Sequence, residues 1–133
     1  MPTIFTKIIK GEIPCHKIAE NNDYLAFLDV RPVALGHALV IPKKEINYIF
    51  DIEDKELAGL FVFAKKVARM IKQEIPCEKI GIMVAGLEVP HAHVHLIPIK
   101  SVLDLNFSNA KPAAAETLAD LACKISRHGI DKI

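Results

Sequence analysis

Cysteine, an excess of one charge and long apolar runs are all scarce in this sequence, and each scarcity excludes a class of protein. Cys15, Cys77 and Cys123 are odd in number and scattered, with no CxxC spacing. That argues against a disulfide framework or a thiolate metal clip, and for a reduced, cytoplasmic protein. Seventeen Lys and Arg balance sixteen Asp and Glu, leaving a formal net charge of +1. No basic stripe remains to neutralise a phosphate backbone, so a nucleic-acid polymer is not expected as a partner. The most apolar stretch, LAGLFVFA at 57–64, is far short of the roughly 20 residues that cross a bilayer, so no membrane partner is expected either. The opening MPTIFTKIIKGEIP is too polar and too soon interrupted for a secretory signal. No GxGxxG or other glycine-rich phosphate loop follows a predicted strand. What is left is one soluble domain of 133 residues, 51% apolar, long enough to bury a core of its own.

Periodicity fills in the elements. Ile4, Phe5, Ile8 and Ile9 have helical spacing before Gly11 and Pro14, which predicts a short opening helix. HKIAEN and YLAFLDV, separated by Asn21-Asn22-Asp23, read as a hairpin, and HALVIPK at 37–43 as a third strand introduced by Gly36. Over 53–75, Leu57, Leu60, Phe61, Ala64, Val67, Ala68 and Ile71 form one helical stripe, with Lys55, Lys65, Lys66, Arg69 and Lys72 opposite and Pro76 as the stop. KIGIMVAG and HAHVHLIPI read as two further strands. After the irregular SVLDLNFSNA, residues 112–127 regain helical character, with Pro112 near the first turn. Short connections favour a five-stranded antiparallel sheet with helices packed on one face, an α+β domain.

The feature that carries chemistry is VPHAHVHLIP at 89–98, with His91, His93 and His95 at every second position. On a strand these side chains line one face, roughly 7 Å apart, while Ala92, Val94 and Leu96 point the other way. A merely solvated strand face would more naturally use Thr, Lys or Glu. A metal site is a second reading, but three collinear imidazoles do not easily reach one ion, and no adjacent carboxylate or cysteine completes a set. The third is nucleophilic catalysis: one imidazole attacks phosphorus while its neighbours hold the non-bridging oxygens.

HAHVHLI matches the His-x-His-x-His-x-x pattern, apolar at x, of the histidine triad (HIT) family of nucleotide hydrolases and transferases. TIFTKIIKGEIP is similar to that family's opening helix, YLAFLDVRPVALGHALVIPKK to its central hairpin, and GLEVPHAHVHLIP closes the match. The resemblance covers about residues 3–100, is closest to the Hint-like branch, and leaves a C-terminal helix at about 112–127 outside it.

The resemblance implies a HIT-like fold, a homodimer with a continuous two-subunit sheet, and a nucleotidyl hydrolase or phosphoramidase acting at an α-phosphate. It implies His93 as nucleophile, the His91 main-chain carbonyl as the acceptor that fixes its tautomer, and His95 and His37 as phosphate and leaving-group contacts. Asp29 would accept the ribose hydroxyls, and Ile4, Phe5, Ile8, Phe27, Val30 and Leu39 would form an apolar slot for a purine base. Read without the resemblance, Asp29 is a turn residue and those six side chains are core. Leu87 stands where many members carry a glutamine that reaches the phosphate, Glu88 where a hydroxyl is common, and Ile99 where several carry arginine. Glu88 is the candidate contact for a cationic or amine-bearing leaving group. Thr3, Thr6 and Glu45 occupy positions where some bacterial members have zinc ligands, so no structural zinc is expected, and the chemistry calls for no cofactor. Two other readings stay open at this point: a nucleotide-binding module with weak or vestigial catalysis, and a strand-based metal-binding protein.

Overall fold

The computed structural model describes residues 2–129. Eight elements follow one another: α1 (Ile4–Ile9), β1 (Lys17–Glu20), β2 (Tyr24–Leu28), β3 (Ala38–Pro42), α2 (Asp54–Glu74), β4 (Lys79–Met83), β5 (Val94–Ile99) and α3 (Ala115–Ser126). The strands form one antiparallel sheet in the order β1-β2-β3-β5-β4. This is the α+β sheet that the hydrophobic pattern predicts. Short 3-10 turns at Ile49–Asp51, Val102–Asp104 and Phe107–Asn109 punctuate the loops.

Both central strands, β2 and β3, are buried at every position, so the sheet must be covered on two faces rather than one. On the first face, Ala26, Leu28, Ala38, Val40, Val94 and Leu96 meet Leu60, Phe63, Ala64, Val67, Met70 and Ile71 of α2, and Leu118, Ala122 and Ile125 of α3. On the second, Leu25, Phe27, Leu39 and Ile41 pack under Phe5, with Ile8 and Ile9 at the margin. The two long helices share a face as expected, while α1 lies alone on the other. Burying one side chain of this kind stabilises by about 1.5–3 kcal/mol, so a six-residue helix is held by its packing and not by its own hydrogen bonds.

Three expectations need correcting. The buried stripe of α2 is rotated from the predicted one: Phe63 and Met70 are inside, and Phe61 is 37% exposed. A stripe drawn through Phe61 continues the heptad spacing just as well, and only contact with the sheet decides between them. Pro112 precedes α3 instead of opening it, because the helix begins at Ala115. The histidine row also lies only partly on a strand: β5 starts at Val94, and His91 and His93 sit in the irregular segment before it. The alternation of faces nevertheless holds, since Ala92, Val94 and Leu96 join the α2–α3 core.

The turn into β3 needs its glycine. Gly36 has φ +96°, and a Cβ there would press on Ile75 at 3.0 Å and Pro98 at 3.1 Å. The adjacent His37 is thereby delivered at the start of β3, opposite β5.

Candidate active site

The buried polar side chains among the described residues are Thr3 and four histidines: His37, His91, His93 and His95. Unpaired buried imidazoles would be costly, so their hydrogen bonds define the site. β3 and β5 bring them together, with Leu39 directly opposite His95 in the register. α1 covers them, its Phe5 ring standing edge-on to His93 at 5.0 Å and to His91 at 5.8 Å. The face read from sequence as a polar working surface is therefore roofed by an aromatic ring.

Each ring's tautomer follows from its partners. The Val33 N–H donates to His37 Nδ1 at 3.0 Å, so neutral His37 carries its proton on Nε2. That proton goes to His95 Nδ1 at 2.9 Å, which leaves His95 with an Nε2–H donor. His93 Nδ1–H donates to the His91 carbonyl at 2.7 Å, so the lone pair of His93 lies on Nε2. His91 Nε2–H donates to the Pro42 carbonyl at 2.8 Å. A nitrogen with a free lone pair thus stands beside a hydrogen-bond donor, the His93 and His95 rings being 4.9 Å apart.

Electrostatics keep the donor chain neutral. Burial, together with the neighbouring imidazoles His37 and His93, pushes His95 down to about 3 from 6.5. Burial also lowers His37, with Asp29 opposing, and lowers His91, with its Pro42 hydrogen bond and Glu45 opposing. Asp29 is the turn residue that its place before Arg31-Pro32 predicts, and its second carboxylate oxygen faces the histidines. Its Oδ1 accepts the Arg31 N–H at 2.9 Å in a turn, and its Oδ2 lies 3.6 Å from His37 Nε2.

A cavity of about 490 Å³ opens on these groups, lined by Asp29, Arg31, Leu87, Glu88, His93, His95 and Phe107 among others. Asp29, His93, His95 and Glu88 are thus gathered at one opening. The six apolar slot residues are divided. Phe5, Phe27 and Leu39 are buried core, Phe5 and Phe27 meeting edge to face at 5.8 Å. Ile8 is half-buried, whereas Ile4 and Val30 are exposed. Phe107 escaped the sequence reading because it lies in an irregular stretch beyond the resemblance. Its ring sits 4.8 Å from that of His95 and stacks on His37 at 6.4 Å.

Asp29, His37 and His95 also bring three potential metal-ligand atoms within 4.8 Å of one another. The His37 and His95 nitrogens there are already joined to each other, so a cation would have to break that hydrogen bond. The donor set fits a proton-ordered relay better than chelation.

A family model described as the HIT domain matches residues 10–102. The chain belongs to the HIT family. Adenosine 5′-monophosphoramidase hnt1 of Schizosaccharomyces pombe is 42% identical over 100 residues, 74% of this chain and 74% of that protein. Adenosine 5′-monophosphoramidase HNT1 of Saccharomyces cerevisiae is 43% identical over 97 residues, 71% of this chain and 61% of that one. A solved HIT-like protein of Bartonella henselae, described as involved in cell-cycle regulation, superposes with a TM-score of 0.83 at 32% identity, covering 94% of each chain. Membership accounts for the five-stranded sheet. Within this HIT domain Leu87 is 93% exposed at the cavity rim, beside Glu88. No helix of the described residues is long and apolar enough to cross a membrane.

Proposed function

We propose that this chain is a nucleotide phosphoramidase or nucleotidyl hydrolase that acts through a covalent intermediate on His93. The observation that carries the reading is the 2.7 Å hydrogen bond from His93 Nδ1–H to the His91 carbonyl, which fixes the lone pair on Nε2. Nε2 bonds to the α-phosphorus of a nucleoside monophosphate amide or ester as the P–N or P–O bond breaks. The leaving group departs with the electron pair and takes a proton from solvent. Water then breaks the Nε2–P bond, and a nucleoside monophosphate and a proton leave. The His95 Nε2–H, fixed by His37, is positioned to hold a non-bridging oxygen where charge develops. No metal is needed for any of these steps.

Asp29, in the wall of the cavity, accepts the ribose hydroxyls. Ile4 and Val30 supply the accessible part of a purine slot floored by Phe5, Phe27 and Leu39, with Ile8 at its side. Glu88 faces the leaving group. The second reading, a nucleotide-binding module with weak turnover, is favoured by one observation: Leu87 offers the phosphate no hydrogen bond. We also infer a homodimer, supported by the outer edge of β4, which pairs with no further strand among the described residues, by exposed Ile82 on it and Val84 just beyond it, and by exposed Phe61 and Val62 on α2.

Mass spectrometry after mixing with an adenosine 5′-phosphoramidate tests the mechanism. An adenylyl adduct on His93, absent in His93→Ala, is expected. Turnover retained by His93→Ala overturns the mechanism, and binding without turnover by the unaltered protein establishes the module.

A further inference from the structure

α1 has six residues and must be anchored from outside. Its anchor is a run of hydrogen bonds that begins at the surface and ends at the histidine row. Glu45, an exposed residue in the loop after β3, accepts the Thr3 N–H on Oε1 at 3.2 Å, and the Thr6 hydroxyl donates to the same oxygen. The Thr3 hydroxyl caps the helix by accepting the Thr6 N–H at 3.1 Å. Its own proton remains, and His91 Nδ1 lies 3.3 Å away. Because His91 Nε2 already donates to Pro42, Nδ1 is an acceptor, and it shares the reach of the Thr3 hydroxyl proton with Thr6 Oγ1, also at 3.3 Å.

The run does not stop at His91. The ring of His91 is pinned on two sides, between α1 and the end of β3, and its side chain is fully buried. Its main-chain carbonyl is the one that holds His93 Nδ1–H. Phe5, two residues along from Thr3, stands edge-on to both rings. A displacement of Thr3 therefore reaches His93 by two routes, through the carbonyl and through the aromatic roof.

We propose that Glu45 is a positioning residue for the nucleophile, acting through Thr6, Thr3 and His91 to hold His93 in a single tautomer and orientation. The proposal rests on His93 being the nucleophile. It gives an exposed carboxylate outside the cavity a part in the rate of the chemical step. It also assigns Thr3 a role beyond capping, as the group that keeps the first histidine of the row from rotating.

The test uses the full chain with Thr3→Val, Thr3→Ser, Glu45→Ala and Glu45→Gln. Thr3→Val keeps the shape and removes the hydroxyl, and Glu45→Gln keeps an acceptor oxygen. Expected is a fall in kcat of about three- to tenfold on adenosine 5′-phosphoramidate for Thr3→Val and Glu45→Ala, with KM within about twofold. Thr3→Ser and Glu45→Gln restore most of it. Ring-nitrogen NMR should show His93 as one Nδ1–H tautomer in the unaltered protein and as a mixture in Thr3→Val. A rise in KM with kcat unchanged would mean that α1 serves only the base slot, and overturns the proposal. So does a His93 that keeps one tautomer in both disruptive variants. If Thr3→Val does not fold, Glu45→Ala carries the same measurements. An unaltered protein without turnover would sink the activity reading alone, while the NMR arm still decides whether the hydrogen-bond run holds His93.

Discussion

Mild acid should destabilise this protein through its buried histidines, and His95 allows the size to be worked out. Folded, His95 is held at about 3 by burial and by the imidazoles of His37 and His93, against its ordinary 6.5. The unfolded chain therefore binds a proton that the native state refuses. The contribution is fully present above pH 6.5 and is lost as pH falls from there towards 3. At pH 5 the unfolded state gains about 2 kcal/mol from this one residue. That is a large share of the roughly 5–15 kcal/mol that holds a domain together. His37 and His91, also lowered by burial, push in the same direction. Urea unfolding at pH 7, 6 and 5, at one fixed protein concentration, measures the loss. His95→Asn is the control, because its side-chain carbonyl still accepts from His37 Nε2–H and cannot be charged. The unaltered protein should lose about 2 kcal/mol more than His95→Asn between pH 7 and pH 5. Parallel losses in the two proteins would refute the reasoning.

Three further outcomes follow from the packing and the cavity. Gly59→Ala would ordinarily favour a helix, but its Cβ would land on the Tyr24 hydroxyl, which donates to the Glu56 carbonyl at 2.9 Å; a destabilisation of about 1–3 kcal/mol is expected, and a higher Tm would contradict it. Phe107→Ala removes the ring over His95 and should move the His95 titration, followed by NMR, upward towards 6.5, with Phe107→Leu in between; an unmoved titration means that the ring does not shield the pair. Glu88→Ser should change the ratio of kcat/KM between amine-bearing and neutral leaving groups, and an unchanged ratio removes Glu88 from the leaving-group side.

The sequence carried the strands, the long helix and the identity of the histidines because these depend on local alternation. Ala92, Val94 and Leu96 face the core as period-two spacing requires, and the histidines take the other face. What could not be read is what covers that face. Phe5 reaches His93 from 88 positions away in the chain, and His37 pairs with His95 across 58. No local pattern encodes such contacts. The rotation of α2 failed for a related reason: Phe61 and Phe63 are equally apolar, and only contact with the sheet selects one. Thr3, Thr6 and Glu45 carry no local pattern beyond standing where zinc ligands would be. Their hydrogen bonds to one another and to His91 appear once the ends of α1 and β3 meet in space. Phe107 sits in a segment without periodicity, where no spacing rule applies.

The place of β5 in the sheet has a consequence for how the protein is made. β1, β2 and β3 follow in both chain order and space, so they can pair as they leave the ribosome. β4 comes next but has no neighbour until β5 inserts between it and β3. Local pairs close early and long-range ones late, so the β3–β5 pairing is expected to follow the β4–β5 one. The row of imidazoles arrives at the edge of, and on, the strand that completes the sheet. A β4–β5 hairpin formed first would carry the row without its roof, and only the later pairing with β3 supplies the His37 partner and brings the row under Phe5.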